Sequence, residues 1–136
     1  MNNTLSILII EKDPPLQQTL ALLFKRSGHN VSSAPLNRHI LTIPEKQTAD
    51  VIVLDLNQSN DNGLALFFKI KKDYPLVPVI LLSGNSEKEI IPCIDEEKEW
   101  VLIRKPFDPG FLLRTVQAIA GNISIHSPKT VGWGAN

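Results

Sequence analysis

The sequence lacks the features that mark several large classes of protein. It has one cysteine, Cys93, so no internal disulfide can form and a reducing cytosol is the expected compartment. Its 14 basic and 14 acidic side chains cancel without forming a basic stripe, which argues against a domain that grips nucleic acid through phosphates. Its longest apolar runs reach about six residues, far below the ~20 that span a bilayer. We therefore expect a cytoplasmic domain that binds neither nucleic acid nor a membrane.

Five short segments predict the strands of a parallel sheet. Val, Ile and Leu dominate four of them with little alternation, as in strands that are buried on both faces. These four are Leu5 to Ile10, Val51 to Leu54, Val77 to Leu82 and Trp100 to Ile103. A weaker run around Val31 predicts a fifth strand at an edge of the sheet.

Helical patterns alternate with these strands. We expect helices over Pro14 to Ser27, Pro35 to about Pro44, Gly63 to Tyr74, a segment after Ser86, and Pro109 to Gly121. Asp13 and Asp108 stand at the positions of N-caps. Pro92 predicts that the helix after Ser86 is short, kinked or displaced. Five strands alternating with five helices indicate an α/β domain over residues 1–121, while residues 122–136 have no periodicity and are expected to form a tail or linker.

Polar residues that follow the predicted strands indicate where the chemistry lies. Ligands of open α/β sheets bind at the carboxyl ends of the strands. The polar groups found there are Glu11-Lys12-Asp13, Asp55, Ser83-Gly84 and Arg104-Lys105. A carboxylate nucleophile, a hydroxyl donor and an ammonium suit phosphoryl transfer. A flavin or nucleotide enzyme is disfavoured because no glycine-rich loop follows the first strand.

Four of these elements, in order and at characteristic spacing, resemble the receiver domains of bacterial response regulators over residues 4–121. The similar segments are Ile7-Leu8-Ile9-Ile10-Glu11-Lys12-Asp13-Pro14, Val51-Ile52-Val53-Leu54-Asp55-Leu56 with Gly63 eight residues on, Val79-Ile80-Leu81-Leu82-Ser83-Gly84, and Lys105-Pro106-Phe107. The separations are 44 residues from Glu11 to Asp55, 28 from Asp55 to Ser83 and 22 from Ser83 to Lys105.

The resemblance implies a flavodoxin-like (βα)5 fold with a five-stranded parallel sheet in the order 2-1-3-4-5. It implies that Asp55 accepts a phosphoryl group from a histidine kinase or phosphotransfer protein, while Ser83 and Lys105 bind that group. Mg²⁺ would be held by Glu11, Asp55 and the backbone carbonyl of Asn57. Catalysis would be limited to phosphorylation and dephosphorylation of Asp55, and the chain would not be a metabolic enzyme. Homodimers are common in the family.

Two substitutions depart from the family pattern. Lys12 replaces the second of two adjacent acidic residues, so we expect weak Mg²⁺ binding. The Lys12 ammonium either faces solvent or lies beside Asp55 and partly replaces the cation. Leu102 stands where many members carry an aromatic residue that reorients on activation. These departures, together with Pro92, leave an alternative open, in which the chain is a pseudo-receiver that binds partners without being phosphorylated.

Overall fold

The computed structural model describes residues 4–33, 49–56, 63–84, 87–121 and 129–131. They form a single parallel sheet with the strand order β2-β1-β3-β4-β5-β6. The strands are β1 (Ser6–Ile10), β2 (Asn30–Ser33), β3 (Val51–Asp55), β4 (Val79–Ser83), β5 (Trp100–Arg104) and β6 (Lys129–Val131). The helices are α1 (Pro14–Arg26), α2 (Gly63–Asp73), α3 (Glu87–Ile94) and α4 (Pro109–Gly121). The predicted order of the first five strands is confirmed. The helix expected at Pro35 to Pro44 lies outside the described residues.

The sheet lies between two layers of helices because its central strands are apolar on both faces. Alternate residues of a strand point to opposite faces. Accordingly, Ile7 and Ile9 pack in a cluster with residues of α1 and α4, whereas Leu8 and Ile10 pack in a second cluster with residues of α2 and α3. All five residues of β3 are buried, as are all five of β4. The sheet is therefore a fixed platform whose carboxyl edge carries the polar residues singled out above.

The predicted helix starts and stops are confirmed at α1 and α4. The Asp13 carboxylate accepts a hydrogen bond from the backbone N–H of Leu16 at 3.2 Å, and the Asp108 carboxylate accepts one from Phe111 at 3.0 Å. Gly28 follows the end of α1 with a φ of +91°, a conformation that glycine adopts without strain. α3 has only eight residues and contains Pro92, as the sequence predicts for a short helix.

At one place in residues 122–136, where a tail or linker is expected, the structure has a strand. Residues 129–131 form β6, which pairs in parallel with Val101, Leu102 and Ile103 of β5. Strand pairing uses the backbone, and a three-residue strand has no measurable periodicity in its side chains. The sequence therefore gave no signal of this strand. None of the helices in the described ranges has the length and apolar character needed to cross a bilayer.

Candidate functional site

The sequence predicts that four polar side chains converge. In the structure, each of them ends or directly follows one of four neighbouring strands. Glu11 follows β1, Asp55 ends β3, Ser83 ends β4 and Lys105 follows β5. Since β1, β3, β4 and β5 are consecutive in a parallel sheet, these residues lie along the same carboxyl edge. Glu11 and Asp55 are only 5% and 3% exposed, which is unusual for acidic residues, and Ser83 is fully buried. The edge is therefore a buried polar site.

An ion pair joins Asp55 and Lys105 at this site. The Lys105 Nζ lies 2.7 Å from Asp55 Oδ2, across 50 residues of sequence. The Asp55 side chain is 4% exposed and that of Lys105 is 27% exposed, so the carboxylate is buried while the ammonium reaches the surface. A charge-assisted hydrogen bond of this length is strong, and removing the ammonium would leave a buried carboxylate without its cation.

The pairing register of β3 and β4 positions Ser83 near Asp55. Asp55 lies beside Leu82, and Ser83 is the next residue along β4. The backbone N–H of Lys105 donates to the carbonyl of Ser83 at 2.8 Å, so the β4–β5 pairing continues into the segment that carries Lys105. This hydrogen bond ties the positions of Ser83 and Lys105 to each other. Gly84, which follows Ser83, is exposed.

Glu11 is held beside Asp55 in an environment that opposes its charge. The pKa of Glu11 is raised from 4.5 to about 7, mainly by burial and next by a side-chain hydrogen bond with Asp55. The backbone N–H of Asp13, which donates to Glu11 Oε2 at 3.0 Å, and the Lys105 charge act in the opposite direction. The Asp55 charge therefore adds to the burial that opposes ionisation of Glu11.

The donor set of this site fits Mg²⁺ in part. Glu11 Oε1 is buried and, within the described residues, accepts no hydrogen bond, so it has an oxygen to offer a cation. Mg²⁺ is commonly bound through one or two carboxylates and keeps several of its waters. Glu11 and Asp55 supply two carboxylates, although the described ranges contain no group of three His, Cys, Asp or Glu residues that could together hold a metal ion. Asn57, whose carbonyl the family resemblance adds, lies outside these ranges.

Lys12 and Leu102, the two departures from the family pattern, lie in different environments. Lys12 is exposed, and its ammonium makes no hydrogen bond or ion pair with another described residue. The cation beside Asp55 is Lys105, so the solvent-facing interpretation of Lys12 fits better than the one in which Lys12 replaces the metal. Leu102 is 0% exposed and packs in the cluster that contains Ile90 and Ile94 of α3. Its side chain lies in the core and carries no polar atom that could form a hydrogen bond at the surface.

Two contacts near the site were not predicted from the sequence. The Gln17 amide donates to the carbonyl of Glu11 at 3.2 Å, from the second turn of α1. A Cβ on Gly63 would collide with the backbone of Leu56, whose Cα and carbonyl carbon would lie 2.7 and 2.8 Å away. Gly63 thus lets the start of α2 approach the segment that follows Asp55. Its spacing from Asp55 was a signal for this role, whereas Gln17 had none.

Comparison with known proteins agrees with this arrangement. The chain matches the family described as "Response regulator receiver domain" over residues 7–117. The chain belongs to this receiver family. The receiver is 26% identical over 124 residues to the transcriptional regulatory protein GlrR of Escherichia coli (strain K12), which covers 91% of the chain and 27% of GlrR. It is 31% identical over 106 residues to a putative NtrX-like response regulator of Rickettsia conorii, covering 76% of the chain and 22% of that protein.

Solved structures show the same fold. The chemotaxis protein CheY4 of Vibrio cholerae superposes with a TM-score of 0.76 at 22% identity, over 86% of this chain and 99% of that one. The NtrX protein of Brucella abortus superposes with a TM-score of 0.72 at 24% identity, over 88% of this chain and 26% of NtrX. The chain spans about a quarter of the length of GlrR and of the NtrX-like protein.

Proposed function

We propose that Asp55 accepts a phosphoryl group from the phosphohistidine of a partner kinase or phosphotransfer protein. The 2.7 Å contact between Lys105 Nζ and the buried Asp55 carboxylate is the observation that supports this most directly. A carboxylate that receives a phosphoryl group gains negative charge, which lies on the phosphoryl oxygens. An ammonium already in contact with the carboxylate can then form an ion pair with those oxygens.

In the proposed reaction, an oxygen of Asp55 forms a bond to phosphorus while the bond from phosphorus to the histidine nitrogen breaks. The electron pair of that bond leaves with the imidazole, which takes up a proton, and an acyl phosphate remains. The new group carries a charge of about −1.5 to −2 near neutral pH. Lys105 would stabilise this charge and Ser83 would donate its hydroxyl hydrogen to a phosphoryl oxygen. Hydrolysis of the acyl phosphate at the same site would reset the protein.

Glu11, Asp55 and the backbone carbonyl of Asn57 would hold Mg²⁺. When bound, the ion would neutralise charge on the phosphoryl oxygens during transfer. Lys12 supplies no oxygen ligand and adds a positive charge next to Glu11 in the sequence, so we expect the affinity for Mg²⁺ to be lower than in a receiver with two adjacent acids.

The consequence of phosphorylation would be a change in the segment after β5. Lys105 is bound through its side chain to Asp55 and through its backbone to Ser83. A phosphoryl group between Asp55 and these two residues would displace the ends of β4 and β5, and the surface around them would differ between the two states. A buried Asp55 needs the Lys105 cation in a pseudo-receiver as well, so phosphorylation itself is what separates the two functions.

Phosphorylation by a small donor tests the proposal without knowledge of the kinase. The protein is incubated with acetyl phosphate and Mg²⁺, and intact mass is recorded over time. We expect a gain of one phosphoryl group that is sensitive to hydroxylamine, as acyl phosphates are. The Asp55→Asn variant removes the nucleophile at nearly constant shape and should show no gain. Equal labelling of both proteins would refute the assignment of Asp55.

The Lys12→Asp variant separates a weakened site from a broken one. If the native chain is labelled slowly and the variant rapidly, the site is intact and limited by its metal affinity. If the variant is labelled and the native chain is not, the pseudo-receiver function is correct. If neither is labelled, Asp55 is not a phosphoryl acceptor in either protein and the proposal fails.

A further inference from the structure

Arg104 is the charged residue at the end of β5. The four residues before it in the strand are buried and apolar, whereas Arg104 is exposed. Its guanidinium forms no hydrogen bond or ion pair with any residue in the part of the chain that the structure describes. An arginine side chain keeps its charge throughout the physiological pH range. The end of β5 therefore carries a permanent positive charge that no described side chain neutralises.

The pairing register of β4 and β5 places Arg104 beside Ser83. Paired residues of neighbouring parallel strands direct their side chains to the same face of the sheet, and the strands are about 4.8 Å apart. An extended arginine side chain is longer than this spacing. The Arg104 guanidinium can therefore reach the position at which the Ser83 hydroxyl would contact a phosphoryl group.

Arg104 and Lys105 approach the carboxyl edge from opposite faces of the sheet. Successive residues of a strand alternate between the two faces, and the hydrogen bond from the Lys105 N–H to β4 continues the strand pairing to this residue. Leu102, two residues before Arg104, packs in the cluster with α2 and α3, whereas Ile103 packs in the cluster with α1 and α4. A group bound at this edge would thus have one cation on each side.

The charge of a phosphorylated site favours a second cation. A phosphoryl group on Asp55 would carry a charge of about −1.5 to −2 near neutral pH, and Lys105 supplies one positive charge. Lys12 stands where a second acidic residue would strengthen Mg²⁺ binding, so the metal is expected to contribute less here. Lys12 itself follows β1, which is two strands from β4, so its backbone lies farther from the end of β4 than that of Arg104 does.

We propose that Arg104 binds the phosphoryl oxygens, both during transfer to Asp55 and in the acyl phosphate, from the face of the sheet opposite to Lys105. A guanidinium offers paired N–H donors that match two oxygens of a phosphoryl group. Arg104 thereby supplies part of the charge neutralisation that a tightly bound Mg²⁺ would supply. This role rests on the proposed phosphorylation of Asp55 and adds a residue to the site.

Labelling by two small donors tests this role. Acetyl phosphate and phosphoramidate carry the same phosphoryl group on different leaving groups, acetate and ammonia. The full chain and its Arg104→Gln, Arg104→Lys and Arg26→Gln variants are incubated with each donor, with a chelator and then at increasing Mg²⁺, and the rate of the mass gain is recorded. Arg26 is also exposed, but it lies in the last turn of α1, at the opposite edge of the sheet. Urea denaturation measures the stability of each variant.

We expect both donors to label Arg104→Gln roughly tenfold more slowly than the native chain, with the largest difference at low Mg²⁺. Removing a buried donor from such a site costs about 10²–10³ in rate, and an exposed one costs less because water and salt screen its charge. Arg104→Lys keeps the charge without the paired donors and should be slowed less. Arg26→Gln should be labelled at the native rate, and all variants should keep the native stability.

The inference is overturned if Arg104→Gln is labelled at the native rate, or if it is slowed with acetyl phosphate alone, since Arg104 would then recognise the acetyl group. Equal slowing of Arg104→Gln and Arg26→Gln would also overturn it, because the effect would then come from net charge. Equal losses of stability and rate in Arg104→Gln and Arg104→Lys would assign Arg104 a structural role instead. These outcomes leave the phosphorylation of Asp55 intact. If neither donor labels the native chain, the proposed function fails and this role fails with it.

Discussion

Replacing Glu11 by glutamine should stabilise the protein at neutral pH while it removes a proposed metal ligand. Glu11 is 5% exposed and its pKa is raised from 4.5 to about 7 by burial and by the Asp55 carboxyl. Between these two values the folded state binds more protons than the unfolded state, so stability falls as the pH rises from 4.5 to about 7 and stays low above it. The shift corresponds to about 3 kcal/mol at roughly 1.4 kcal/mol for each tenfold change in acidity.

Glutamine keeps the favourable contact and loses the unfavourable charge. Its carbonyl oxygen can accept the hydrogen bond from the Asp13 N–H that Glu11 Oε2 now accepts at 3.0 Å, and its NH₂ group can donate to Asp55. Because burying the amide is itself unfavourable, we expect a gain of about 1–3 kcal/mol at pH 8 and little difference at pH 4.

Urea denaturation at a series of pH values, in buffer with a chelator, measures this difference. Glu96→Gln, which removes a carboxylate from an exposed position, controls for the change in net charge. The reasoning is refuted if Glu11→Gln is no more stable than the native chain at pH 8, or if its advantage is the same at pH 4. A gain in stability together with weaker phosphorylation would indicate that Glu11 is retained for function at the expense of stability.

Three other substitutions test separate parts of the structure. Gly63→Ala should destabilise the protein by about 1–3 kcal/mol in urea denaturation, because the added Cβ meets the backbone of Leu56, which cannot move aside; an unchanged midpoint would contradict this close approach. Lys71 is buried with its pKa lowered to about 8, so the stability of the native chain should rise between pH 8 and 10.5 as the ammonium is lost. The Lys71→Met variant should lack this rise, and parallel pH profiles for the two proteins would disprove the assignment. Lys12→Asp should bind Mg²⁺ more tightly in a titration followed by intrinsic fluorescence or calorimetry, and equal affinities would refute our account of Lys12.

The sequence was sufficient for most of the fold because its signals are local and strong. The continuous apolar runs of β1, β3, β4 and β5 can be buried only between two layers of helices, and caps such as Asp13 and Asp108 act within their own turn. The carboxyl-edge rule for parallel sheets then predicted that Asp55 and Lys105 would meet, although 50 residues separate them.

Several buried polar contacts were invisible in the sequence. His29 showed no ligand spacing, yet it is 7% exposed and its Nδ1 accepts a hydrogen bond from the Leu5 N–H at 3.1 Å. That bond requires the proton of the neutral ring to be on Nε2, which lies 3.2 Å from the Gln117 amide of α4. Lys71 looks like an ordinary lysine of a surface helix, but its ammonium donates to the carbonyls of Val77 and Glu99.

The amino-acid sequence by itself determined the order and type of the first five strands and of the helices described, and the edge at which the polar residues collect, because burial of apolar strands and capping of helices depend on residues near one another in the chain. Only the tertiary structure decided which charges are buried. The tertiary structure brought Glu11 close to Asp55, left Lys12 exposed to solvent and paired residues 129–131 with β5. Each of these outcomes depends on which groups from distant segments exclude water from one another, and no local pattern records that.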